Sequence, residues 1–217
     1  MTSVDKKLWV ALTGIGLSGF VLMHMSGNLL LLAGPELFNK YGHAMISNPL
    51  LIPAEIGLVA IFLVHVYLAI TLNLKNRAAR GVCPSERASC AKAARFGSKY
   101  MVLTGLLVFV FVILHLRDFK YGAHYTVTYD GVEMRDLYRI VHHEFHETGE
   151  VGLYVFAMLV LFVHLAHGVS AVFQSLGLGS VKNCCLKKIG WGFALLVAGG
   201  FILQPLYIYF MTPGGTN

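Results

Sequence analysis

Four histidines stand deep inside stretches that are otherwise apolar: His24, His65, His115 and His164, with His167 one turn beyond the last. A polar ring in hydrocarbon needs a partner, and ionisable groups at membrane depth mark ion paths, proton relays or cofactor sites. Neutral imidazole offers one N–H donor and one lone pair. It can therefore bind a neighbouring helix, relay a proton or ligate a metal ion. A single such residue reads as a hydrogen-bonded core histidine; four on four separate stretches point to a shared task.

Composition sets the elements that carry them. The 217 residues are 56% hydrophobic and 13% charged, with a mean hydropathy of +0.66, whereas soluble domains carry about 25% charged residues. Five apolar spans, about 8–33, 53–74, 98–116, 151–172 and 189–211, include only Glu55 and Lys99 of all the charged residues. Each is close to the roughly 20 residues a helix needs to cross the hydrocarbon layer, and barrel strands would be shorter and alternating. A cytosolic enzyme, a nucleic-acid module and a disordered tail are excluded. The expected fold is all-α: a polytopic membrane protein of five transmembrane helices in one domain, 1–217. The first span exceeds a signal-peptide core and lacks a small-residue cleavage site, so it is read as part of the mature chain.

Orientation follows from the basic residues. The N-terminus and segments 75–99 and 173–188 hold 12 of the 17 Lys and Arg, while segments 34–52 and 117–150 hold 8 of the 11 Asp and Glu. The basic side is read as cytoplasmic, with the C-terminus outside. The run from Lys75 to Lys99 is then positive-inside charge and a possible dock for a peripheral partner, not a nucleic-acid site. Cys83, Cys90, Cys184 and Cys185 fall on that side without C-x2-C spacing and receive no function. Only the loop from Arg117 to Glu150 has room for extra structure, with a short surface helix expected in 134–147.

Depth sorts the histidines, since a helix rises about 1.5 Å per residue. Counted from the cytoplasmic end of each span, His24 is 16 residues deep and His115 is 17, whereas His65 is 9 and His164 is 8. Two pairs at two depths, each pair drawn from two helices of a four-helix bundle, are what two stacked bis-histidine haems require. Zinc would want more ligands per site, and no C-x-x-C-H attachment is present, so the haems would be b-type and non-covalent.

An internal echo supports this reading: Thr13-Gly14 precedes His24 as Thr104-Gly105 precedes His115, with ten residues from Gly to His each time. That places each glycine near the other layer, where a missing side chain would let a flat ring approach. His164 matches the depth of His65 better than His167 does, which leaves His167 at a haem edge or the surface.

The stretch from His164 to Leu178, with Thr-Gly-x9-His twice and His24-Met-Ser-Gly-Asn28, resembles the dihaem cytochrome b membrane anchor of the succinate dehydrogenase and fumarate reductase family. The likeness runs over nearly the whole chain. It implies that His65 and His164 hold a proximal haem b near a cytoplasmic iron–sulfur protein, and that His24 and His115 hold the distal one. It further implies an iron–sulfur subunit and a flavoprotein as partners in a higher oligomer, (mena)quinone as substrate, and the bacterial cytoplasmic membrane as location. The implied reaction is electron transfer between quinone and those partners for fumarate reduction or succinate oxidation. Some family members carry a glutamate where Phe162 stands here.

The same resemblance suggests a quinone pocket on the outer side. Glu36, His43 and Lys40 are candidates in the first outer loop, and His142, His143 and His146 in the second, though that trio beside Glu144 and Glu147 reads better as solvated side chains. Arg117 and Lys120 could pair with haem propionates or simply mark the membrane boundary. The rival readings are the cytochrome b anchor of a hydrogenase or formate dehydrogenase, a haem-free proton-conducting protein, and a structural anchor without haem.

Overall fold

The computed structural model describes residues 2–79, 91–178 and 184–212, with side chains for these except 3, 77–79, 91–99 and 184. Cys83, Cys90 and residues 80–90 of the basic run lie outside the described residues, as do the side chains of Cys184 and of all the basic residues of that run except Lys75. Five helices are long and apolar enough to cross a membrane: Val4–Ala33, Leu51–Asn76, Tyr100–Lys120, Thr148–Ser175 and Cys185–Met211. The chain is mostly helical and has the build of a multi-pass membrane protein. Large apolar side chains such as Ile56, Leu63, Val110, Ile113, Leu195 and Leu196 are exposed along these helices, as a lipid solvent allows.

Helix α1 (Ser3–Asn28) starts several residues before the apolar span because Thr2 and Asp5 close a capping box at its head. At its other end Asn28 donates through Nδ2 to the His24 carbonyl, and the chain tightens into a 3-10 turn, Leu29–Ala33. Gly34, at φ 114°, turns the backbone into α2 (Pro35–Ile46), with proline at the first helical position. Helix α3 (Leu51–Ala79) returns beside α1. Lys6 Nζ donates to Thr71 Oγ1 at 3.2 Å, so the start of α1 lies against the end of α3.

Helix α4 (Ala91–His115) continues into a single π-helical turn, Leu116–Lys120. The outer loop then forms a hairpin, β1 (Thr126–Tyr129) with β2 (Val132–Arg135), Thr126 opposite Arg135. This hairpin lies in the one loop expected to have room for extra structure. Asp130 and Gly131, at φ 52° and 77°, supply the two left-handed positions of a tight hairpin turn. Helix α5 (Leu137–Glu144) follows, capped by Asp136, and falls within the stretch expected to be a surface helix. Asn39 of α2, fully buried, donates to Asp136 Oδ1 at 2.8 Å and accepts from the Tyr138 amide at 2.9 Å, which ties the two outer loops into one cap.

Helices α6 (Thr148–Ser175) and α7 (Cys184–Met211) pack along their length around Ala157, Met158, Leu161, Leu165, Ala194 and Val197. At Gly190 the approach is so close that an added Cβ would lie 2.6 Å from the Ala166 carbonyl oxygen. Small residues at such crossings are how helices associate in lipid, where dispersion takes over from the hydrophobic effect. Helix α1 also contacts α6 and α7, and α4 packs on α6, whereas α3 and α4 touch sparsely, with Phe62 stacked on Phe109. Helices α1, α3, α4 and α6 thus form a ring of four with α7 outside it.

Candidate functional site

Within this ring the four deep histidines divide as their depths require. His24 of α1 and His115 of α4 are diagonal neighbours, ring centres 5.8 Å apart and planes at 82°. His65 of α3 and His164 of α6 occupy the other diagonal, within electrostatic reach of each other. Thr13 to His24 and Thr104 to His115 are each 11 helical residues, so the two levels are about 16 Å apart.

The inner level, nearer the N-terminus, has a repeated construction. Thr13 Oγ1 lies 2.9 Å from His65 Nδ1, and Thr104 Oγ1 lies 3.2 Å from His164 Nδ1. The glycine following each threonine faces the same ring. A Cβ at Gly14 would be 3.4 Å from His65 Cε1, and one at Gly105 would be 3.3 Å from His164 Cε1. Both glycines stand at the opposite level from the histidine ten residues on, as the echo in the sequence requires; what approaches each is an imidazole edge.

At the outer level the supports differ. Phe20 stacks on His24 at 5.4 Å, Phe201 flanks it, and the Asn28 amide nitrogen sits over the ring, 3.3 Å from Nε2 and 3.4 Å from Nδ1. His115 is bordered by Phe111, Phe119 and Tyr154. The Tyr154 hydroxyl is 3.5 Å from His115 Nδ1 and donates to Asp118 Oδ2 at 3.3 Å. Asp118 is 6% exposed and held by the Arg117 guanidinium at 2.6 Å.

Two more carboxylates stand near this chain of polar groups. Glu150 Oε2 is buried without a hydrogen-bond partner among the described residues. Burial, with Asp118 and Glu150 nearby, holds the Glu144 carboxyl above its ordinary range. Sequence reasoning passed over Tyr154, Asp118 and Glu150, yet a signal existed. Tyr154 precedes His164 by the same ten residues that separate glycine from histidine on α1 and α4, which places it level with His115.

The other expected residues are placed elsewhere. Glu36 pairs with Lys40 at 2.6 Å, and Lys40 also pairs with Asp130 at 2.5 Å, so its ammonium is held above its ordinary range by both. His43 lies 3.4 Å from Ser47 Oγ on the same helix. None of the three makes a hydrogen bond or ion pair to the deep histidines among the described residues. Arg117 is engaged by Asp118, and Lys120 by Glu55 of α3 at 2.5 Å.

His167 is half-buried in a lateral groove of about 250 Å³ between α4 and α6, beside Tyr100, Met101 and Thr104. His142 and His146 stack at 4.2 Å, and burial, reinforced by His146, holds His142 below the usual histidine range. His143 is paired loosely with Glu144 at 3.7 Å. Among the described residues no three His, Cys, Asp or Glu side chains converge as a metal cluster would.

Comparison with protein families, with curated proteins and with solved structures finds no match for the chain.

Proposed function

We propose that the chain is a dihaem cytochrome b membrane anchor that carries electrons between a quinone and partner proteins on its basic, cytoplasmic side. The observation that carries this reading is the diagonal His24–His115 pair, with ring centres 5.8 Å apart deep in the bundle. Rings this close could both offer a nitrogen to one metal ion. The donor set fits b-type haem: two pairs of neutral imidazoles, one pair per diagonal, among apolar and aromatic side chains.

His24 and His115 would hold one haem and His65 and His164 the other; bound there, haem supplies one-electron oxidation and reduction. The family resemblance makes the reaction quinol oxidation coupled to fumarate reduction, or its reverse, in a bacterial cytoplasmic membrane, with a flavoprotein and an iron–sulfur protein performing the dicarboxylate chemistry. Oxidising a quinol releases protons, and Asp118 near His115, with Glu144 and Glu150 close to it, is better placed to receive them than Glu36 or His43.

A reduced-minus-oxidised visible spectrum of the purified chain, with a pyridine haemochrome assay, tests the proposal. Two low-spin haem b per chain are expected; a correctly folded chain from haem-replete cells that carries none would refute it.

A further inference from the structure

We infer that Thr13 and Thr104 are positioning residues that fix the protons of His65 and His164 on Nδ1 and leave both Nε2 lone pairs free for a metal ion; the inference rests on the haem reading above. Each threonine hydroxyl has one hydrogen and two lone pairs. Thr13 Oγ1 lies 2.7 Å from the Trp9 carbonyl and 3.1 Å from that of Val10. Carbonyls only accept, so the hydroxyl hydrogen is spent on the preceding turn, a bond that threonine makes within helices. What faces His65 Nδ1 at 2.9 Å is then a lone pair, and Nδ1 must carry the hydrogen.

Thr104 repeats the arrangement on α4. Its Oγ1 is 3.1 Å from both the Tyr100 and the Met101 carbonyls and 3.2 Å from His164 Nδ1. In the other tautomer each threonine would give up its backbone bond, and an N–H at Nε2 would face no acceptor among the described residues. A donor without a partner in an apolar environment is costly. The glycines complete the cradle: around each ring, Nδ1 meets a threonine and Cε1 approaches a glycine, which leaves Nε2. One dipeptide, used twice on two helices, thus sets the protonation and the pose of a histidine on a third and a fourth. A hydrogen bond accepted from the non-ligating nitrogen orients a metal-bound imidazole and raises its basicity.

The test uses the full chain, purified from membranes with its native haem content. Thr13→Val and Thr104→Val keep the branched shape and remove the acceptor, while Thr13→Ser and Thr104→Ser restore it. Each valine variant is expected to release the haem of the His65–His164 pair about 10-fold more readily and to raise its midpoint potential. The His24–His115 haem stays unchanged, and serine returns both readings to wild type. Valine variants with wild-type retention and potential overturn the inference.

A second measurement needs neither haem nor a variant. Nitrogen-15 NMR of histidine-labelled wild-type chain in bilayers should show His65 and His164 as Nδ1–H tautomers before haem is bound, and Nε2–H would overturn the lock. A wild-type chain that never takes up haem sinks the haem reading, whereas the tautomers still decide whether the threonines set the protons.

Discussion

Replacing Gly105 by alanine is a direct probe of how tightly the His164 ring is held. The added carbon would lie 3.3 Å from His164 Cε1, inside the 3.5–4.0 Å optimum for carbon pairs. The ring cannot simply swing aside, because Thr104 holds its Nδ1 at 3.2 Å. Overpacking of this kind costs about 1–3 kcal/mol, and the helix recovers about 0.5–1 kcal/mol from exchanging glycine for alanine. Gly19 on α1, where nothing lies within 4 Å, is the control that gains without the clash. The two variants should therefore differ by about 1–3 kcal/mol, or roughly 2–12 °C in unfolding midpoint for a chain of this size. Thermal unfolding in detergent followed by circular dichroism reads the gap, with Gly14→Ala, at 3.4 Å, falling between. Equal midpoints for Gly105→Ala and Gly19→Ala would refute the close approach.

His65→Ala and His164→Ala should each lose the same haem and keep the other, as counted by pyridine haemochrome and electron paramagnetic resonance; loss of different haems breaks the pairing. Tyr154→Phe removes the hydroxyl between His115 and Asp118, costs about 1 kcal/mol, and should change the midpoint potential of the His24–His115 haem alone in a redox titration. Asn39→Ala leaves Asp136 and the Tyr138 amide without their buried partner. The outer cap should weaken by about 2–4 kcal/mol, read as faster proteolysis within 126–147. Because burial and His146 depress His142 from 6.5, its stability contribution is whole above that value and is lost as pH falls through it. The wild type should lose more thermal stability between pH 7.5 and pH 5 than His142→Gln, and matching slopes would discount the burial.

The five crossing helices were legible because lipid imposes a length and an absence of charge that no other environment demands. The inner-level contacts were half legible: the Thr-Gly echo marked the depth, but which side chain met the glycine depends on helix rotation, and hydropathy carries little of that. The hairpin falls in the one loop expected to have room for extra structure, though the Tyr129-Asp130-Gly131-Val132 turn signal was not read as strands. Asp118 was passed over for a different reason. Hydropathy does not set it apart from Arg117 beside it at the end of a span, whereas the π-helical turn after His115 draws it inward to 6% exposure.

The contrast between the two histidine levels bears on where protons move. Among the described residues the hydrogen bonds of the inner rings go to threonine hydroxyls whose own hydrogens are spent on backbone carbonyls. The outer level is joined through Tyr154 to Asp118 and on to Arg117, which is 62% exposed, with Glu144 and Glu150 close by. Among the described residues the carboxylates near a deep histidine gather at the level farther from the N-terminus. Under the proposed function, electrons then cross between the levels while protons are exchanged at the outer one. That asymmetry, more than the loop residues Glu36 and His43, argues for a quinone meeting the protein near His115.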